Sequence, residues 1–272
     1  MSSASFNDPY EASVLREGLF ANRSAVVSGA GSGIGRAIVL RLVQLGMHVF
    51  GTGRRVEMLE ETASLTNGMA GQFTYKPCNV RDTEAVEALV RGAGESRGID
   101  LLVNNAGGQF FAPATAISRK GWDAVIDLNL SAVFTVTKAA YPYLKASRGS
   151  VASISLSGVD RGSMGLAHSI AARAGVLGMT RSLALEWAKD GIRLNCIAPG
   201  TVVTEGLAGE AARPMLERLV EATPMGIPTS VEEVAELVAY LASPAGRLMT
   251  GQLIQIDGAA HLGPGLHMIA AE

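Results

Sequence analysis

Apolar positions along the chain follow two alternating rhythms. Short apolar runs are each followed by a longer stretch in which apolar residues return about once per helical turn. The first pair sets the pattern. Ala25, Val26 and Val27 form a run, a glycine-rich turn follows, and Ile34, Ala37, Ile38, Leu42 and Leu45 recur at helical spacing with Arg36 and Arg41 off that face. Further strands are predicted at His48–Thr52, Gln72–Val80, Asp100–Val103, Ser150–Ser155, Ile192–Ile197 and Gln252–Asp257. Helices are predicted over Val56–Leu65, Thr83–Ser96, Trp122–Lys145, Ser169–Lys189 and Val231–Leu241. Gly206–Glu221 reads as a polar insertion, residues 1–20 as an arm lying on the body, and residues 261–272 as a C-terminal tail. That leaves residues 21–260 as the body. Strands alternating with helices imply a parallel sheet covered on both faces. With right-handed crossovers, the seven strands make a single doubly wound α/β domain of Rossmann type.

Composition narrows the function classes. Of 272 residues, 48% are hydrophobic and 18% charged, enough to bury a large core and too apolar for a disordered chain. A net charge of −2 and a pI near 6.1 give no electrostatic footprint for nucleic acid or an anionic membrane surface. No uninterrupted apolar run reaches the roughly 18 residues of a membrane span, and the start lacks the basic-then-apolar plan of a secretion signal. Nor is the closing Ala-Ala-Glu a peroxisomal address. Cys78 and Cys196 sit in apolar runs and read as reduced core thiols of a cytoplasmic protein, with no disulfide and no metal site.

The glycine turn, Gly29, Gly31, Gly33 and Gly35, lies between a strand and a helix. A phosphate needs backbone N–H groups and a helix N-terminus aimed at it, and side chains in the turn would block its approach. Gly29, Ser32, Gly33, Ile34 and Gly35 are therefore expected to hold a dinucleotide. The end of the second strand decides which one. A carboxylate there would bind a ribose 2′-hydroxyl, whereas arginine accommodates a 2′-phosphate. Here Arg54 and Arg55 follow the strand and no acid appears before Glu57, so NADP(H) is expected. Asn79 and Val80 are placed to meet the adenine, and Asn105, Ala106 and Gly107 to serve the backbone and ribose at the sheet end.

Over residues 22–258 the chain resembles the short-chain dehydrogenase/reductase family. Ser28–Gly35 resembles its cofactor turn and Asn104-Asn105-Ala106-Gly107 its sheet-end motif. Pro199-Gly200, followed by Val202 and Thr204, resembles its nicotinamide loop, and Asn129 its helix-interior asparagine. Four strings, residues 104–114, 118–125, 167–176 and 182–200, are most similar to peroxisomal trans-2-enoyl-CoA reductases, and less so to 2,4-dienoyl-CoA reductases. The resemblance implies a homotetramer formed through the long helices, a small-molecule substrate, and no nucleic-acid or membrane partner.

The catalytic segment departs from the family pattern of serine, tyrosine and, four residues on, lysine. Arg173 takes the lysine position, Ser169 the tyrosine position, and Leu156 the serine position between Ser155 and Ser157. An arginine can clamp the nicotinamide ribose but does not release a proton at neutral pH. A serine hydroxyl is a poor acid without an activating partner. Losing a positioned acid costs about 10²–10⁴-fold, whereas positioning two reactants contributes about 7–11 kcal/mol, so the greater part of the rate enhancement survives. Asn129, Ser169, Arg173, Ser155 and His168 are the expected catalytic set. Reduction of an activated C=C bond of an acyl thioester, with hydride going to Cβ, suits these groups better than reduction of a ketone. A carbonyl or imine reductase with an unusual acid, and an NADP-binding protein without turnover, are the rival readings. Elsewhere Trp122 and Trp187 read as packing or subunit-contact residues, Met47, Met58, Met179 and Met249 as core fillers, and Met215 and Met225 as candidates for an acyl pocket. Glu232 and Glu233 suit a helix's first turn.

Overall fold

The computed structural model describes residues 15–204 and 213–263. Seven parallel strands form one sheet in the order β3-β2-β1-β4-β5-β6-β7. They are β1 (Ser24–Ser28), β2 (His48–Gly53), β3 (Gln72–Pro77), β4 (Leu101–Asn104), β5 (Ser150–Ile154), β6 (Arg193–Pro199) and β7 (Leu253–Ile256). The helices are α1 (Gly33–Gln44), α2 (Val56–Leu65), α3 (Thr83–Arg97), α4 (Arg119–Ile126), α5 (Ala132–Ser147), α6 (Ala167–Glu186), α7 (Arg213–Glu221) and α8 (Val231–Ala242).

Alternation along β1 assigns the two layers. Ala25 and Val27 join Ile38, Val39, Leu42 and Val43 of α1 and Val234, Val238 and Leu241 of α8 in one apolar cluster. Val26, between them, faces the other way into Val86, Leu89 and Val90 of α3 and Val136, Ala140 and Leu144 of α5. Burying both faces is why the strand is a continuous apolar run. Asp82 and Ser118 cap α3 and α4 through Ala85 N and Gly121 N. Ser230 and Glu233 form a reciprocal capping box on α8. The strand order reverses between β1 and β4, and in such a sheet the crevice at the strands' carboxyl ends is where a ligand is received.

Several expectations need correction. The third strand stops at Pro77, so Cys78–Val80 leave the sheet as a loop. The long central helix begins at Arg119 and contains a π-helical stretch, Asp127–Ser131, between α4 and α5. Part of the supposed insertion is the helix α7, a short element on which Met215, Leu216, Leu219 and Val220 recur at helical spacing. Residues 205–212 of that insertion, 1–14 of the arm and 264–272 of the tail lie outside the described residues. At the described end of the arm, Phe20 is buried and Leu15 and Leu19 pack against the core. Arg36, expected off the apolar face of α1, is buried. Its guanidinium donates to Gly31 O and Thr62 Oγ1 and forms an ion pair with Glu61 at 2.6 Å. Cys78 and Cys196 are free, and burial pushes the Cys196 thiol up to about 11. No described helix is long and apolar enough to cross a membrane.

Candidate active site

A cavity of about 730 Å³ opens at the carboxyl ends of β1, β2 and β4. Its wall is the glycine turn. Gly29 has φ of +68°, and a Cβ on Gly35 would lie 2.0 Å from Gly29 O, so neither position accepts a side chain without rebuilding the turn. Ser32 begins α1 without capping it, which leaves the helix's first N–H groups open to the cavity. Ser28 Oγ accepts from the Asn105 and Ala106 amides, and Asn105 Nδ2 donates to Ser28 O and Gly29 O. The sheet-end motif therefore clamps the turn from below, as expected of Asn105.

Thirteen of the residues expected to hold a dinucleotide line this cavity: Gly29, Ser32, Gly33, Ile34, Gly35, Arg54, Arg55, Asn79, Val80, Asn105, Ala106, Gly107 and Thr204. Arg55 Nη2 donates to Ser32 Oγ at 3.3 Å, tying the arginine pair to the turn. Asn79 Oδ1 accepts from Arg81 N. Met58, expected as core, lines the cavity against Gly31 instead. Pro199, Gly200 and Val202 do not line it. Pro199 ends β6, Gly200 abuts Asp257, and Val202 bridges to Thr229. The open helix N-terminus, the glycine-rich turn and the paired arginines together match a dinucleotide with its phosphates on α1.

The second group of residues meets the cavity at Gly107. A Cβ there would lie 2.8 Å from Asn129 Oδ1 and 3.4 Å from Arg173 Nη2. Asn129 is buried in the π-helical stretch. Its amide donates to Val125 O and Gly108 O, each at 2.8 Å, and its Oδ1 accepts from Gly108 N. It thus fixes the loop after β4.

Ser169 and Arg173 sit one turn apart on α6. Arg173 Nη1 donates to Ser169 Oγ at 2.5 Å, and Ser169 donates its proton to Gln109 Oε1 at 2.6 Å. Burial lowers the Arg173 pKa to about 10, and its Nε has no hydrogen-bond partner among the described residues. A buried cation with an unused donor suits a polar ligand beside it. Gln109 lines the cavity, so the chain of donors ends at its amide. Sequence reasoning missed Gln109, since a glutamine in an irregular loop carries no period.

Ser155 and His168 are present but not engaged. Ser155 Oγ is buried without a partner among the described residues. His168 is 0% exposed, neither ring nitrogen has a partner among the described residues, and its ring meets Phe110 edge-on at 4.3 Å. Ser157 donates to Asp257 Oδ2 just beyond the end of β7.

Comparison with known proteins agrees with this architecture. Residues 29–261 match the family described as enoyl-(acyl carrier protein) reductase. A Bacillus subtilis protein named "Probable 2,4-dienoyl-CoA reductase" is 34% identical, over 89% of this chain and 98% of that one. A 3-oxoacyl-[acyl-carrier-protein] reductase of Thermotoga maritima is 37% identical over 86% and 95%. Among solved structures, the citronellol catabolism dehydrogenase of Pseudomonas aeruginosa superposes with a TM-score of 0.81 at 37% identity, covering 92% of this chain and 99% of that one. With that sheet order, that turn and these relatives, the chain belongs to the short-chain dehydrogenase/reductase family of oxidoreductases.

Proposed function

We propose that the protein reduces an activated C=C bond, with a trans-2-enoyl-CoA thioester as the substrate its groups suit best, using NADPH. The observation that carries this reading is the chain Arg173–Ser169–Gln109. It stands where the family pattern has its lysine and tyrosine, and it is built from groups that donate hydrogen bonds without giving up a proton at neutral pH. A ketone becomes an alkoxide on hydride addition and needs a proton there at once. An enoyl thioester becomes an enolate, whose oxygen needs only donors aimed at it.

When bound, the reduced nicotinamide supplies a hydride to Cβ. The chain's own residues do the rest. The turn from Gly29 to Gly35 and the N-terminus of α1 hold the pyrophosphate, and Arg54 and Arg55 reach the 2′-phosphate. Arg173 clamps the nicotinamide ribose and polarises Ser169. Ser169 orients the Gln109 amide toward the thioester oxygen, and Asn129 keeps that loop in register. Exposed Phe134 on α5 and Leu185 on α6 fit a homotetramer closed through these helices.

Steady-state NADPH oxidation with crotonyl-CoA and decenoyl-CoA, run beside the matched 3-oxoacyl-CoA substrates and NADH, tests the reading. Turnover of the enoyl thioesters with NADPH at least tenfold above both alternatives is expected. A preference for the 3-oxoacyl substrates would overturn the C=C assignment, and comparable use of NADH would overturn the choice of coenzyme.

A further inference from the structure

We propose that His261, oriented by Asp257, is the general acid that delivers a proton to the substrate's Cα. The inference rests on the enoyl-reduction reading above. That reading leaves one atom unsupplied. Ser169 commits its single proton to Gln109 while accepting from Arg173, and the His168 ring is sealed beneath Phe110.

His261 is differently placed. It lies on the 3-10 turn Ala260–Leu262, directly beyond the carboxyl end of β7. Its Nδ1 is 2.9 Å from Asp257 Oδ1, and its backbone N–H donates to Oδ2 at 2.8 Å. Ser157 reaches over from the end of β5 and donates to the same Oδ2 at 2.5 Å. Burial works to raise the Asp257 pKa, but the hydrogen bonds from Ser157 and His261 outweigh it and hold the carboxyl below its usual range. An ionised carboxylate only accepts, so the proton on the shared edge belongs to His261 Nδ1. Nε2 is then the nitrogen open to other partners, and 31% of the side chain is exposed.

The surroundings suit a substrate. Asp257 abuts Gly200, where a Cβ would lie 2.9 Å from Asp257 Cα, so the pair backs onto the loop that leaves β6 at the carboxyl edge of the sheet. Met225 N donates to Gly258 O, which brings the exposed Met225 and Leu262 side chains to the same edge. Apolar surface beside an oriented imidazole is what an acyl thioester requires.

Hydride addition at Cβ leaves an electron pair shared between Cα and the thioester oxygen. The carbonyl re-forms, Cα bonds the proton leaving Nε2, and the imidazolium becomes imidazole, which recovers a proton from water. One nicotinamide hydride and one solvent proton are consumed for each C=C bond. Asp257 stays ionised throughout, and it and Ser157 are positioning residues.

Crotonyl-CoA reduction by NADPH in D₂O, with wild type, His261→Ala and His261→Asn, tests the assignment. The alanine variant should lose about 10²–10⁴-fold in kcat, keep its NADPH affinity, and recover with added imidazole. Its product should carry deuterium on both faces of Cα, where the wild type labels one. Asparagine can still bond Asp257 but shuttles no proton, so His261→Asn should be equally slow. Wild-type turnover in either variant overturns the role of His261 and leaves the reduction reading standing. An inert wild-type protein removes both.

Discussion

The two ends of the site are built from different materials. On the β1–β2 side the cavity wall is largely backbone: a glycine-rich turn, an uncapped helix start, and an asparagine that bonds main-chain carbonyls. Beyond β4, side chains reach partners in distant parts of the chain. Gln109 meets Ser169, Ser157 meets Asp257, and Asn129 meets Gly108. Backbone geometry tolerates almost no substitution yet carries no chemistry of its own. Side-chain networks, such as the one joining Arg173, Ser169 and Gln109, can be rewritten while the fold stands.

That contrast can be broken from either side. The largest effect is expected at Gly35. A methyl group there meets Gly29 O at 2.0 Å, so Gly35→Ala should abolish NADPH binding, read by cofactor fluorescence, and lower Tm. Binding within threefold of wild type would show that the turn is less rigid than its backbone implies. Next, Ser169→Ala severs the donor chain at a residue that does not itself line the cofactor cavity. A fall in kcat of about 10²–10³-fold with unchanged NADPH affinity is expected from steady-state kinetics. Loss of affinity instead would place Ser169 with the nucleotide half.

Arg54→Ala tests a side chain that works within the backbone-built half. It should weaken NADPH by about tenfold, roughly 1.4 kcal/mol, and leave NADH unchanged in a titration of each. A smaller effect is expected from pH. The Asp257 pKa is held below its unfolded value, so its bonds to Ser157 and His261 stabilise the fold above the ordinary carboxylate range and cease to do so as pH falls through the folded value. Urea unfolding between roughly pH 6 and pH 3 should show the lead of wild type over Asp257→Asn shrinking as the solution is acidified. Smallest of all is Gly92→Ala. This glycine lies within α3, a Cβ on it meets nothing within 4 Å, and the change should raise stability by about 0.5–1 kcal/mol.

How far each half can be read from the linear chain follows from the same division. β1, the turn and α1 are local in sequence, and their apolar period and glycine spacing survive without knowledge of any partner. Arg36 escaped because an arginine opposite an apolar stripe reads as solvent-facing, and only the position of Glu61 and Thr62 on α2 shows otherwise. The helix α7 escaped although Leu216, Leu219 and Val220 recur at helical spacing, because its 9 residues give that stripe barely two turns inside a polar stretch. Gln109 and the Asp257–His261 pair escaped for a further reason. Ser169, the partner of Gln109, lies 60 residues on along the chain in α6, and Asp257 meets His261 across a 3-10 turn that shows no apolar period. His168 shows the opposite failure, a residue type suggestive of chemistry that the fold shuts away behind an aromatic ring.

Asp127–Ser131 winds more loosely than the helices on either side, and so takes up more chain per turn. Since each helical residue turns the chain by about 100°, deleting a single amino acid there would swing everything upstream to a new azimuth relative to everything downstream. Trp122 and the Ser118 cap would rotate away from their present bearings, and Asn129 would lose one of the carbonyls it now spans. Length in this stretch, quite apart from composition, is therefore under constraint. A change of identity at a neighbouring exposed position should be far easier to absorb than the loss or gain of one residue.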